Sequence, residues 1–409
     1  MRTKWRLPAI ASLAMTSTVH AQSTLTLYGL IDVGITYANS AQTGRASGHP
    51  TGASQFAVTD GHATGVSGSR WGLRGLEDLG GGLRAIFVLE NGFMTNSGGL
   101  AQGGAEFGRQ SYFGLASDFG TLTLGRQYDP LVNFVQPFAA SGTWAGYMGS
   151  HADDVDNLSN TSRINNAVKF TSATYHGLTM SAMVSAGGIA GHTGQNQIWS
   201  IAGGYTGAAF SFGMGYLNAR NPNVSFYGNT PNKGSAVANN IGSAGSATTP
   251  QAYPVFAGYA SARTLQIAGA GLSWSYAGSA ISVSATNTRF DGLGSSSGPN
   301  PLGYSGLAMF TSVDLNARYR ATPTLQFALG FDYTTRSSVK GDDGARYLQM
   351  NAAIDYSLSK ATDLYVLAAC QRASGTDSLG QPAVASIAGF NPSATNKQIA
   401  FRLGAIHRF

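Results

Sequence analysis

Thr324-Leu-Gln-Phe-Ala-Leu-Gly-Phe-Asp-Tyr-Thr-Thr-Arg336 alternates apolar and polar side chains along its whole length. Leu325, Phe327, Leu329, Phe331 and Tyr333 share one parity, while Gln326, Asp332, Thr334 and Arg336 share the other. A two-residue period puts one set on each face of a β-strand. One face is apolar and the other can be wet, so this strand separates two different environments.

The same pattern recurs on both sides of it. In 347–358, Leu348, Met350, Ala352, Ile354, Tyr356 and Leu358 oppose Gln349, Asn351, Asp355 and Ser357. In 311–320, Val313, Leu315 and Tyr319 oppose Asp314, Asn316, Arg318 and Arg320. Near the N-terminus, Leu25, Leu27, Ile31, Val33 and Ile35 oppose Thr26, Tyr28, Asp32 and Thr36, and 210–217 and 281–288 behave alike. Less regular stretches at 68–77, 83–94, 107–116, 121–128, 163–174, 178–187, 197–206, 263–276, 363–373 and 397–409 bring the expected strands to sixteen.

The connections alternate in length. Short ones fall near 78–82, 117–120, 175–177, 207–208, 277–279, 321–323 and 359–362. Long ones fall near 39–67, 95–106, 129–162, 188–196, 220–262, 291–307, 337–346 and 374–396. Short turns at one end and long loops at the other are the habit of outer-membrane barrels. The expected fold is therefore all-β, a sixteen-stranded antiparallel transmembrane β-barrel.

Composition agrees. Of 409 residues only 11% are charged, against roughly 25% in soluble proteins. Residues 1–21 read as a signal peptide: Arg2, Lys4 and Arg6, then an apolar stretch from Leu7 to Val19, then Val19-His20-Ala21. Residues 22–409 read as one barrel domain. Without the three leader cations the net charge falls from +6 to +3, too mild to suggest a nucleic-acid partner. Cys370 is the single cysteine, which excludes an intramolecular disulfide framework. Nucleophile-elbow, phosphate-loop and zinc-protease motifs are missing, so an enzyme is not expected, nor a cofactor. Asp154-Val-Asp156-Asn lacks the glycine and distal glutamate of a calcium loop.

A barrel that conducts needs a constriction and fixed charges around it. The 129–162 connection carries Phe134, Val135, Phe138, Trp144, Tyr147 and Met148, which must pack on something. It is the candidate for an inward-folded constriction loop, and its Asp153, Asp154 and Asp156 are candidates for the negative side of the gap. The 220–262 connection, rich in small and polar residues, is expected to stay in water. On the wall, Trp71 and Leu73 take the lipid parity and place Arg70 and Arg74 in the lumen. The reverse would cost roughly 2–4 kcal/mol per arginine near the bilayer midplane. Ile164, Val168 and Phe170 likewise turn Arg163 and Lys169 inward. Arg109 shares parity with Phe113 and Leu115, so alternation alone does not aim it at the pore.

Leu25-Thr-Leu-Tyr-Gly-Leu-Ile-Asp32, Gly68-Ser-Arg-Trp-Gly-Leu-Arg-Gly-Leu-Glu-Asp-Leu-Gly80, Phe107-Gly-Arg-Gln-Ser-Tyr-Phe-Gly-Leu115, Gly125-Arg-Gln127 and the terminal Phe409 stand in this order along the chain. In that order and spacing they resemble the general-diffusion porins of Gram-negative outer membranes, in the form common in β-proteobacteria. The resemblance implies a homotrimer of barrels, each narrowed by its third loop. It also implies that Arg70, Arg109 and Arg163 face the constriction with the carboxylate of Glu90 beside them. Phe409 then corresponds to the signal read by the outer-membrane assembly machinery. The expected role is passive diffusion of small hydrophilic solutes and ions with mild anion preference, in an outer membrane whose lipid and lipopolysaccharide surround the barrel. The alternative is a channel specific for a sugar, an organic anion or phosphate on the same scaffold.

Overall fold

The structure, a computed structural model, describes residues 23–228 and 238–409. The expected leader at 1–21 lies outside the described residues. Among those residues, seventeen strands join into a single antiparallel sheet that closes on itself.

Strand β1 (Ser23–Ala46) is the seam. One of its edges pairs with β17 (Lys397–Arg408) through residues 30–38. The opposite edge pairs first with β3 (Arg70–Gly80) and then with β2 (His49–Asp60). Strands β2 and β3 thus stand end to end along one edge of β1 and form a single interrupted stave. With β4 to β17 the wall has sixteen staves, as the alternation predicts, and a barrel of this size leaves an aqueous channel.

One expected connection is replaced by strand. Residues 39–67 were to form a long loop, but β1 continues to Ala46 and β2 begins at His49. Ser47 and Gly48 turn the hairpin with φ of 50° and 82°, the left-handed pair that suits the twist of a tight hairpin. Residues 39–55 of this hairpin lack an alternation of large apolar residues, whereas Tyr37, Phe56 and Val58 next to them stand exposed. After Asp60 the chain leaves the wall as a short helix, α1 (Gly61–Thr64), and rejoins it at Arg70.

The other strands keep close to their expected places. They are β4 (Leu83–Gly92), β5 (Gln110–Ser117), β6 (Gly120–Gln127), β7 (Ile164–Ser172), β8 (Leu178–Ser185), β9 (Ile198–Thr206), β10 (Phe210–Arg220), β11 (Thr264–Tyr276), β12 (Ser279–Leu293), β13 (Gly306–Arg320), β14 (Leu325–Arg336), β15 (Ala345–Ser357) and β16 (Thr362–Gly375). On β14 the outward Leu329 is 67% exposed while the inward Asp332 is 1% exposed. The lipid face is bare, and the lumen face is covered from inside.

That cover comes from several connections, among them the one between β16 and β17, whose Ser386 and Ile387 bond to Gln371 and Gln398 of the wall. The chain from 128 to 163 folds into the barrel, and the described part of the 220–262 connection does not stay in water as expected. Val255, Phe256 and Tyr259 are buried, and the Phe256 and Tyr259 rings meet Phe290 of β12 and Phe310 of β13 at centroid distances of 5.4–6.2 Å. A preponderance of small residues concealed one adhesive run, Tyr253-Pro-Val-Phe-Ala-Gly-Tyr259.

Candidate constriction site

The in-folded loop begins with helix α2 (Pro130–Val135), capped by Asp129, whose Oδ1 accepts from the Val132 amide at 3.1 Å. Helix α2 lies on a floor of wall glycines. A Cβ at Gly213 would sit 2.0 Å from the Phe134 carbonyl oxygen, and one at Gly271 would meet Phe138 at 2.6 Å. Only bare backbone lets the loop approach β10 and β11 this closely.

Further along, polar side chains of the wall hold the loop. Ala140 donates its amide to Asp314 at 3.3 Å, Trp144 its indole to Asn316 at 3.3 Å, and Gln349 its amide to the Met148 carbonyl at 2.8 Å. His151 is buried among carboxylates. Its Nδ1 lies 2.5 Å from Asp156 and its Nε2 3.6 Å from Asp332, while Thr286 donates to Asp156 at 2.5 Å. Burial pulls the His151 imidazole down, but the charges of Asp156 and Asp332 outweigh it and push it up to about 10.

Across the lumen from these anchors is a cluster of cations. Arg70 stands on β3, Arg109 just before β5 and Arg163 just before β7. Arg109 Nε meets Glu90 Oε1 at 2.7 Å and its Nη2 donates to the Tyr128 hydroxyl at 2.8 Å. Tyr28 donates to the other oxygen of Glu90 at 2.9 Å. The Arg163 guanidinium lies 5.7 Å from the Tyr128 ring centroid, and its Nε is buried without a partner. These three arginines border a cavity of about 290 Å³. Facing them are Gln136, Ser141, Ser159 and Asn160 of the loop, and the segment 61–68 closes the rim. His62, in that segment, reports the local field. Burial and the charges of Arg163 and Arg109 push its imidazole down to about 4.

The other expected site residues divide. Arg74 stacks on the Tyr28 ring at 4.2 Å and borders a separate hollow with Glu90 and Tyr112. Lys169 turns to the root of the loop and donates to the Tyr128 carbonyl at 2.8 Å and to Asn133 at 3.2 Å. Asp153, Asp154 and Asp156 do not face the arginines; all three are at most 5% exposed. Asp153 accepts from Ser386 at 2.6 Å and from the Val255 amide at 3.3 Å. Asp154 accepts from the Ser159 amide at 2.8 Å and the Thr161 hydroxyl at 2.9 Å. A turn of left-handed residues, with φ of 52° at Asp153 and 57° at Asp154, folds these carboxylates back onto the loop's own backbone and neighbours. Burial pushes both up to about 7.

Tyr28, Tyr128, His62 and the inward segment 61–68 had no role in the sequence reading. The two tyrosines lie in or beside motifs already singled out, Leu25–Asp32 and Gly125–Gln127, so their position was a usable signal. Nothing in Gly61-His-Ala-Thr64 announces that the wall is interrupted.

Closed barrel, in-folded loop and arginine cluster together point to one kind of protein, and the pattern of the Gram-negative porins matches residues 9–376. The chain belongs to the Gram-negative porin family. This porin is 39% identical over 171 residues to an outer membrane porin protein of Bordetella pertussis, a match covering 38% of this chain and 41% of that one. It is 35% identical over 185 residues to outer membrane porin protein 32 of Delftia acidovorans, covering 42% and 47%. The porin thus spans less than half the length of the curated relatives it matches. Among solved structures, an anion-selective porin from Comamonas acidovorans shares its fold with a TM-score of 0.68 at 20% identity, covering 95% of this chain and 100% of that one. The trimer form of OmpT of Vibrio cholerae aligns with a TM-score of 0.62 at 13% identity, covering 95% and 99%. The bacterial outer membrane is where this porin belongs.

Proposed function

We propose that the porin forms a water-filled channel for passive diffusion of small hydrophilic solutes and ions, with a preference for anions. One observation carries the reading: three arginines with a single carboxylate, Glu90, face a neutral stretch of loop across the gap. Rings of basic side chains favour anions, and low-dielectric walls strengthen their field. The loop acids subtract little, being buried and hydrogen-bonded away from the gap. The Arg163 Nε, buried without a partner in a residue that borders the cavity, supports the alternative of a channel that binds one class of organic anion or phosphate. In a planar bilayer with a salt gradient, the zero-current potential should have the sign of anion preference. It should decline as salt rises, because the Debye length shrinks from ~10 Å at 0.1 M to ~3 Å at 1 M. Cation preference would refute the reading, and conductance saturated by one solute would move it to the specific channel.

Assembly as a homotrimer is part of the proposal and is supported by a structural neighbour described as a trimer form. Contact with lipopolysaccharide is supported by Arg346, Arg372 and Lys397. These stand exposed at the long-loop ends of β15, β16 and β17, on the parity of Leu348, Cys370 and Ile399, and Arg372 lies directly opposite Lys397. Like charges directly opposite are destabilising unless neutralised, and lipid phosphates at that height would neutralise them. Phe409 is assigned as the assembly signal. Its backbone closes the seam through bonds of 3.0 and 3.1 Å with Gly29, and its side chain is 54% exposed, free for an assembly factor to read.

A further inference from the structure

We infer that residues 238–263 form a strap that closes part of the outer mouth and sets the size limit for solutes, ahead of the arginine gap. The inference rests on the channel reading above. The strap belongs to the connection between β10 and β11, and β10 is eight staves from β1 in either direction round the barrel. Even so, the strap is fastened to β1. Gln251 donates its amide N–H to Gln42 Oε1 at 3.0 Å, and Gln42 Nε2 donates to Gln251 Oε1 at 2.8 Å. Both side chains are buried. Gln42 Nε2 also reaches the Ser393 carbonyl at 2.9 Å. Nearby, Arg45 Nη1 donates to the Ala244 carbonyl at 3.3 Å. A Cβ at Gly44 would lie 2.2 Å from the Ala247 carbonyl oxygen, so the hairpin is shaped to receive the strap.

The strap has structure of its own. Ser243 and Ala252 exchange backbone bonds of 3.0 Å, and the Ser246 amide donates to Thr249 at 2.8 Å, forming a small hairpin at the far end. Between its ends it is held from below and from the side. The Val255 amide donates to Asp153 of the constriction loop at 3.3 Å. Ser378, in the connection between β16 and β17, donates its hydroxyl to the Pro254 carbonyl at 2.7 Å and accepts from the Gly258 amide at 2.9 Å. Its root is the aromatic cluster of Phe256, Tyr259, Phe290 and Phe310.

These fastenings lie on β1, on the constriction loop, and over β11 to β17. The arginines stand on the side of β3 to β7. The strap therefore fills the mouth on one side and leaves the approach along the arginine wall. A buried, reciprocal amide pair is a firm latch, because breaking it strands polar groups at a cost of ~1–3 kcal/mol each.

The test compares the unaltered porin with two variants in lipid vesicles and planar bilayers. One replaces Ser243–Ala252 by a short glycine-serine link; the other is Gln42→Ala with Gln251→Ala. The readouts are swelling rates in arabinose and in the larger raffinose, single-channel conductance and the zero-current potential. With the strap shortened, the raffinose-to-arabinose rate ratio should rise severalfold and conductance should increase. The zero-current potential should keep its sign, since the arginines are untouched. The double alanine variant should show the same changes, smaller, and it decides the matter if the shortened chain does not fold. An unchanged ratio and conductance in a folded variant, beside an unaltered porin that conducts, overturns the strap alone. Silence of the unaltered porin overturns the channel reading and the strap with it.

Discussion

At the level of the constriction loop, the two sides of the lumen use charge in opposite ways. Along β3 to β7 the charges that border the cavity are cationic and pair sparingly: of Arg70, Arg109 and Arg163, Arg109 alone forms an ion pair, with Glu90. Along β12 to β14 they are mostly anionic and fully covered, with Asp156, Asp314 and Asp332 around His151. A charge next to water acts on passing ions. A charge sealed under a loop acts on the loop, because leaving it unpaired is costly. So the arginines are assigned to selectivity and the aspartates to anchorage, although both look equally polar in the sequence.

The largest effect should come from breaking the anchor. Asp156→Ala leaves His151 buried with only Asp332 at 3.6 Å, and removing one partner of a buried pair costs about 3–5 kcal/mol. Unfolding in denaturant should register that loss, and single-channel records should become noisy as the loop loosens. The sign of ion preference should hold. A quiet channel of normal stability would show that the pair does not anchor the loop.

Next comes the glycine floor. Gly213→Val places a side chain where the Phe134 carbonyl now lies, 2.0 Å from the new Cβ. Overpacking of this sort costs about 1–3 kcal/mol. The loop should be pushed toward the arginines, lowering conductance; the same change at a lipid-facing position such as Leu329 should leave conductance as it is.

The smallest effect concerns pH. His151 is raised from 6.5 to about 10, and Asp153 and Asp154 from 3.8 to about 7. A group whose pKa is raised by folding stabilises fully below its unfolded value and loses that contribution as pH climbs through the folded one. Both kinds of group therefore weaken the anchorage as pH rises, the aspartates between about 4 and 7 and the histidine between about 6.5 and 10. Current noise should grow across these windows, and Asp153→Asn should flatten the lower one. Noise that falls with rising pH would contradict the assignment.

Where lipid imposes a rule, the sequence is readable. The parity of Trp71 and Leu73 aims Arg70 inward, and the aromatics of 134–148 identify the loop that must pack. Where lipid imposes none, the reading loses its grip. The far part of the β1–β2 hairpin, residues 39–55, carries no alternation of large apolar residues, so nothing there marks it as strand. The parity that turned Arg163 inward is interrupted by a bulge beyond Gly125, and Ile164 is buried rather than outward; Arg109 precedes its strand and reaches Glu90 from a loop. Asp153, Asp154 and Asp156 look like ordinary loop acids, and only the left-handed turn at 153–154 reveals that they fold inward. The glycines of β10 and β11 are visible as composition, but which of them meet the loop depends on a contact between segments far apart in the chain.

The central claim is that the arginine side alone sets ion preference. Arg70→Ser combined with Arg163→Ser tests it most directly, through the zero-current potential of single channels in a salt gradient. Two of the three cations are lost while Glu90 remains, so the potential should move toward cation preference, with the largest shift at low salt. An unchanged potential in that double variant, in channels that still insert and conduct, would contradict the account.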